Sequence, residues 1–129
     1  MKSLLDTSSV VDHLRGVKPI DEPVVSEGVG ISVITYLELI YGVYKSRNFK
    51  KNLSIVCDLI ENMNIEIVGI DLHVSNEYGK NKALLENEGK TIDDFDLIIG
   101  CAAKVYNLKL VTRNSKHFER IKGLIIEKN

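Results

Sequence analysis

Val29-Gly30-Ile31-Ser32-Val33-Ile34-Thr35-Tyr36-Leu37-Glu38-Leu39-Ile40-Tyr41-Gly42-Val43-Tyr44 is the stretch on which the fold turns. Residues 29–33 are an uncharged, largely β-branched run of strand length. From there the apolar residues Leu37, Ile40, Tyr41 and Tyr44 recur at the spacing of one helical face. Thr35-Tyr36-Leu37-Glu38 has the form of a capping box that would open this helix. A buried strand that passes directly into an amphipathic helix is the unit from which parallel sheets are built.

The same alternation extends in both directions. Upstream, residues 2–5 read as a short strand ending at Asp6. Thr7, Ser8 and Ser9 offer caps for a helix through Val10, Val11 and Leu14 that stops near Gly16. Residues 19–22 read as a loop and 23–27 as a short helix. Downstream, Asn48 opens a helix with Leu53, Val56, Cys57 and Ile60 on one face. A strand is expected over 65–70, and a helix over 71–87 that Gly89 ends. Thr91-Ile92-Asp93-Asp94 is a second capping-box pattern, opening a helix to about Tyr106. A strand over 108–111, a short helix over 115–121 and a last strand over 124–126 complete the order. The expectation is an α/β fold with a mainly parallel central sheet covered by helices on both faces. The adjacent helices over 35–63 break the simple alternation and are expected to project as a pair.

Composition bounds the function. The chain has 129 residues, the size of one domain spanning 1–129. With 17 basic against 18 acidic residues and a net charge of -1, it is not a strongly basic nucleic-acid binder, so any polyanion must be met by a local patch. No Trp, five Tyr and three Phe argue against a base-stacking platform. The only cysteines, Cys57 and Cys101, allow neither a stapled scaffold nor a four-ligand zinc site, and both are expected as reduced core thiols. The first residues reach Asp6 after two leucines and contain no signal-peptide core. The longest uncharged stretch, 28–37, is about half a membrane span. A cytoplasmic protein without membrane contact is the expectation.

Three acids sit inside apolar runs: Asp6 after Leu4-Leu5, Glu38 within residues 34–41, and Asp96 within Phe95-Asp96-Leu97-Ile98-Ile99. An ionised carboxylate in such surroundings costs several kcal/mol unless something compensates it. Asp6 follows a strand, Glu38 and Asp96 fall in first turns of helices, and Asn114 and Ser115 follow the strand over 108–111. In an open parallel sheet these points share the carboxyl edge, where such folds place ligands. Oxygen donors without His or Cys suit Mg²⁺ or Mn²⁺. Bland readings stand beside this one. Glu38 would serve as the N3 partner of Thr35, Asp94 as that of Thr91, and Asp6 as a turn former at a strand end. Asp12, Asp58 and Asp71 read as solvated.

His13, His73 and His117 have no metal-ligand spacing, and His73 and His117 read as solvated. P-loop, dinucleotide and nucleophile-elbow motifs are absent. Basic residues gather at Arg113, Lys116, Arg120 and Lys122, at Lys45, Arg47, Lys50 and Lys51, and at Arg15 and Lys18. Arg113 and Lys116, next to Asn114, are the candidates for drawing a polyanion to an acidic pocket.

Leu4-Leu5-Asp6-Thr7-Ser8, the block from Ile31 to Gly42, the block from Asp94 to Ala102, and Leu110-Val111-Thr112-Arg113-Asn114-Ser115-Lys116-His117-Phe118 together resemble the PIN domain, in its VapC toxin branch. The four blocks cover nearly the whole chain in order. The resemblance implies a PIN-like three-layer α/β/α sandwich and a Mg²⁺- or Mn²⁺-dependent endoribonuclease acting on RNA such as tRNA or rRNA. It also implies silencing by a VapB-type antitoxin and a homodimer. Asp6, Glu38 and Asp96 match the family's metal-binding acids. Asn114 matches a fourth position that is Asp in some members, with Asp94 an additional acid nearby. Thr7 and Thr112 match pocket hydroxyls, and His117 stands where many relatives carry an acid. Tyr41, Tyr44 and Phe49 on the helix pair are candidates for an antitoxin groove. The rivals are a receiver-like Mg²⁺-binding signalling domain, which would need a phospho-accepting Asp after a middle strand, and a non-catalytic PIN-fold binding module. A D-x-D phosphatase fails because position 8 is Ser.

Overall fold

In the computed structural model, which describes all 129 residues, a five-stranded, wholly parallel sheet runs through the molecule in the order β3-β2-β1-β4-β5. Its strands are β1 (Ser3–Leu5), β2 (Val29–Ser32), β3 (Glu66–Val68), β4 (Lys109–Thr112) and β5 (Ile126–Lys128). Around it lie α1 (Thr7–Leu14), α2 (Glu22–Ser26), α3 (Val33–Lys45), α4 (Phe49–Asn62), α5 (Leu72–Asn87), α6 (Asp94–Val105) and α7 (Ser115–Phe118). Every expected strand and helix is present, with ends displaced by a few residues. The receiver-like alternative fails on this order, because receivers carry the strands as 2-1-3-4-5. Asp71, where that reading would have needed a phospho-acceptor, caps α5 by accepting from the Val74 amide at 2.9 Å.

The sheet separates two apolar clusters. One is built from Leu4, Leu97, Ile99, Ala102, Leu110 and Phe118, beneath α5, α6 and α7. The other contains Leu5, Val10, Ile31, Leu39, Val56 and Val111, beneath α1 to α4. Leu4 and Leu5 face opposite clusters, as successive residues of a strand must, which places the short β1 at the centre of three layers. The helix pair α3 and α4 is anchored through Leu39, Val43, Val56 and Leu59, while Tyr41 and Tyr44 stay exposed on its outer side. Cys101 is buried as expected. Cys57 is exposed, because α4 turns Val56 and Leu59 to the sheet and leaves position 57 outside. No helix is long and apolar enough to cross a membrane.

Neither capping box forms. β2 ends at Ser32, whose hydroxyl accepts from the Ile34 amide at 3.0 Å, so α3 starts before Thr35 and buries it completely. α6 is capped by the Asp93 carboxylate, which accepts from the Phe95 and Asp96 amides. At α1 the cap is Asp6 itself, ahead of the three hydroxyl residues expected to do it. In each case the capping oxygen belongs to the residue at which the extended chain first turns helical.

Candidate active site

Parallel pairing aligns the ends of three strands. Leu5 lies opposite Ile31 of β2 and Val111 of β4, so Asp6, Ser32 and Thr112 leave the sheet side by side. The strand order reverses between β1 and β4, and the crevice outside such a reversal is where open α/β sheets bind ligands.

Asp6 is 2% exposed. One carboxylate oxygen accepts from the Ser9 amide at 2.9 Å. The other accepts from the Ser8 hydroxyl at 3.0 Å and from the Thr112 hydroxyl. Three hydrogen bonds to the charged form offset its desolvation. Thr112 Oγ1 in turn accepts from the Asn114 amide at 2.9 Å, and the Asn114 side-chain amide reaches Ser8 Oγ at 3.4 Å. A closed ring of Asp6, Ser8, Asn114 and Thr112 thus ties β1 to β4.

Glu38 Oε1 accepts from the Thr7 hydroxyl at 2.7 Å. Thr7 also lies 3.0 Å from the Thr35 hydroxyl. Thr7 has a single proton and gives it to Glu38, so Thr35 must donate to Thr7. Thr35 and Glu38 sit three residues apart on one face of α3, and the relay from Thr35 through Thr7 aims the carboxylate.

Asp96, in the first turn of α6, is pushed up to about 6. Burial is the largest cause, followed by the negative charges of Asp93, Asp6 and Glu38, with His117 opposing. The charges of the other two acids singled out in the sequence, Asp6 and Glu38, therefore both bear on Asp96. None of the three forms an ion pair, whereas Asp12 is paired with Arg113 at 2.7 Å, Glu77 with Lys104 at 3.2 Å and Asp94 with Lys82 at 2.9 Å. No three acidic, His or Cys side chains are drawn together tightly enough to grip an ion as they stand. Like charges repel, and the oxygens of Asp6 and Glu38 are turned to hydroxyls instead. The chemistry of the set still fits a hard divalent cation: oxygen donors only, excess negative charge, and no cationic side chain in ion-pairing range.

The remaining candidates divide. Asp94 accepts from Lys82 and, at 3.0 Å, from the Tyr78 hydroxyl, and these bonds to α5 hold its carboxyl below the usual range. It is thereby committed outside the trio. Arg113 is held by Asp12, which is therefore not the free solvated acid expected, while Lys116 is exposed and unpaired. Arg113, Asn114, Ser115, Lys116 and His117 line a cavity of about 320 Å³ beside the acids. His117 is exposed, as expected, but its charge reaches Asp96. Tyr44 packs at a tilt against Phe49, with ring centres 4.7 Å apart, and Lys45 lies over Tyr41, so Tyr41 and Tyr44 stand exposed on the outer side of the helix pair. The concave apolar surface is instead a groove of about 280 Å³ walled by Val11, Leu14, Leu39, Val43, Ile55 and Val56 of α1, α3 and α4.

Four contributors carry no clear mark in the sequence. Thr35 has the spacing of a cap, which conceals its bond to Thr7. Ser8 and Ser9 look like caps and are instead the partners of one. Asp93 has no signal beyond lying beside Asp94. Only their position next to the acids points to them.

Comparison with known proteins identifies the family to which this fold belongs. The family model of the PIN domain matches residues 3–124. Ribonuclease VapC1 of Methanocaldococcus jannaschii is 36% identical over 121 residues, covering 94% of this chain and 82% of that protein. The tRNA(fMet)-specific endonuclease VapC of Shigella flexneri is 33% identical over 97 residues, 75% of this chain and 72% of that one. Among solved structures, VapBC2 from Rickettsia felis bound to a DNA fragment from their promoter superposes with a TM-score of 0.89 at 30% identity, covering 99% of this chain and 98% of its counterpart. Matched across almost its full length in both sequence and fold, the chain belongs to the PIN domain family.

Proposed function

We propose that residues 1–129 work as one nuclease domain, a cytoplasmic endoribonuclease that is the toxin half of a VapBC-type toxin–antitoxin pair, with Asp6, Glu38 and Asp96 as ligands of Mg²⁺ or Mn²⁺. The observation that carries this reading is the contrast in pairing. Asp12 and Glu77, two other acids partly withdrawn from solvent, each have a cationic partner, while Asp6, Glu38 and Asp96 have none and the charges of Asp6 and Glu38 bear on Asp96. Carboxylates withdrawn from water without a cationic partner, and crowded by one another's charge, are what a site kept for a cation requires. The ribonuclease names of the relatives support the substrate class.

When bound, the ion supplies Lewis-acid and water-activating chemistry for an in-line attack on a phosphodiester. The chain's own residues do the positioning. Ser9, Ser8 and Thr112 fix both oxygens of Asp6. Thr35 and Thr7 aim Glu38. The α6 cap at Asp93 sets where Asp96 emerges. Lys116, with Asn114 at the rim, offers a donor to the phosphate that the acids would otherwise repel. No side chain is needed as a covalent nucleophile.

The groove between α1, α3 and α4 suits the apolar face of an antitoxin helix, and Arg15 at its edge suits an acidic residue on that helix. The Rickettsia felis VapBC2 structure supports a VapB-type partner. A homodimer is part of the same reading.

The test is direct. The purified chain should cut single-stranded RNA or tRNA with Mg²⁺ or Mn²⁺, stop in EDTA and recover when the ion is restored. Cleavage that persists in chelator would overturn the metal assignment. Replacing Ile55, the exposed residue of the groove wall, by Asp should abolish antitoxin binding without changing cleavage; binding that survives would place the antitoxin elsewhere.

A further inference from the structure

The chain as a whole is slightly acidic, yet one surface beside the site is not. The cavity of Arg113, Asn114, Ser115, Lys116 and His117 shares Lys116 with a second cavity of about 420 Å³, walled by Glu88, Lys90, Lys116, Glu119, Arg120 and Lys122 without an apolar residue. Four cations against two acids make the second cavity net positive. None of its charged residues forms an ion pair, so its lysines are free to meet an outside anion. The walls are held in place. Arg120 donates to the Thr91 carbonyl, tying the segment after α7 to the loop before α6. At the other end, Asn114 is bonded to Thr112 and so to Asp6. The two cavities meet at Lys116, so donors run from Asn114, tied through Thr112 to Asp6, past Lys116 to Lys90 and Lys122.

We infer that this path is a backbone track for a single strand of RNA, on which Lys116, Lys122 and Lys90 meet successive phosphates on one side of the cut. The inference rests on the ribonuclease reading and adds the course of the substrate. Phosphates fit where bases do not, because the cavity contains no aromatic or apolar side chain to stack on. Glu88 and Glu119 lie in the same walls and limit the attraction, so the track grips through the unpaired lysines. Recognition of this kind depends on length and salt, and hardly on base sequence.

The experiment compares a long single-stranded RNA with one just long enough to be cut, using the full chain, the double variant Lys90→Ser/Lys122→Ser, and a control of equal charge change, Lys50→Ser/Lys51→Ser. All four lysines are exposed, and Lys50 and Lys51 wall none of the cavities. Each lost phosphate contact reduces the salt slope by about 0.7, a roughly fourfold loss in affinity at physiological salt. The track variant should therefore lose about tenfold in kcat/KM on the long RNA, with a slope shallower by about 1.4, and keep the parent value on the short one. An equal loss on both RNAs, the same loss in the control, or no loss overturns the track. A parent protein that cuts neither RNA overturns the ribonuclease reading along with it, whereas a parent that cuts and a variant blind to length overturn the track alone.

Discussion

Replacing Asp96 by Asn should stabilise the protein while removing its activity. The carboxylate is pushed from an ordinary 3.8 to about 6, first by burial and then by the charges of Asp93, Asp6 and Glu38. It makes no ion pair and its carboxylate accepts no hydrogen bond, while its backbone amide donates to the Asp93 side chain. Between pH 3.8 and about 6 the unfolded chain has released this proton and the folded chain still holds it. The unfolded state binds fewer protons there, so stability falls as pH rises through this window and stays reduced above it. The shift corresponds to at most about 3 kcal/mol. Solvent screening of a half-buried group brings that to ~1–2 kcal/mol. Asn has nearly the same shape and no charge. In EDTA, urea denaturation at alkaline pH should show Asp96→Asn more stable than the parent by that amount, about 3–8 °C in Tm. The advantage should shrink steadily as the pH is lowered through 6 and vanish below 3.8. A variant no more stable than the parent at alkaline pH, or an advantage that ignores pH, would refute the claim that the Asp96 carboxyl is withdrawn from water beside the charges of Asp6 and Glu38.

The same geometry sets four other outcomes. Asp6→Asn keeps the α1 cap, since Asn caps as well as Asp, so the fold should persist by circular dichroism while RNA cleavage falls below detection; cleavage at the parent rate would exclude Asp6 from the chemistry. Mg²⁺ should raise the Tm of the parent in proportion to the logarithm of its concentration above Kd, and should leave an Asp6→Asn/Asp96→Asn variant nearly unmoved. Thr7→Val removes the donor to Glu38 and should weaken Mg²⁺ binding about tenfold by calorimetric titration, with Thr7→Ser restoring it; an unchanged affinity would show that the relay does not aim the carboxylate. Gly100→Ala forces a methyl against Ile121 and, at 3.3 Å, Phe118 where α6 meets α7, and should cost about 1–3 kcal/mol in urea denaturation without altering the metal affinity.

Much of the fold can be read from patterns that burial imposes. Residues 29–32 suit only a covered strand, whereas the spacing of Leu37, Tyr41 and Tyr44 announces the helix but not its inner face, since those three are exposed and α3 packs through Thr35, Leu39 and Val43. In a parallel sheet the ends of the strands share one edge, and that rule, applied to acids set inside apolar runs, leads to Asp6, Glu38 and Asp96. Hydrogen-bond partners are less legible. Thr35 fits a capping motif three residues before Glu38 as well as it fits its actual bond to Thr7, because sequence spacing does not say where a helix starts. Asp12 and Arg113 are 101 positions apart, and nothing local announces their pairing. Cys57 and Val56 are both apolar neighbours on one helix, and which of them faces the sheet depends on how α4 is rotated against it. The apolar groove depends on three helices whose relative placement no one-dimensional pattern contains.

The central position of β1 has a consequence for how the protein comes into being. Of the five strands it leaves the ribosome first, but its neighbours are β2 and β4, and the hydroxyl that pins Asp6 belongs to Thr112. The nascent chain therefore carries its first acid long before it can seat it, and must wait for β4 to emerge. In this order the hydrogen-bond nest that holds Asp6 closes only once the fourth strand has been made.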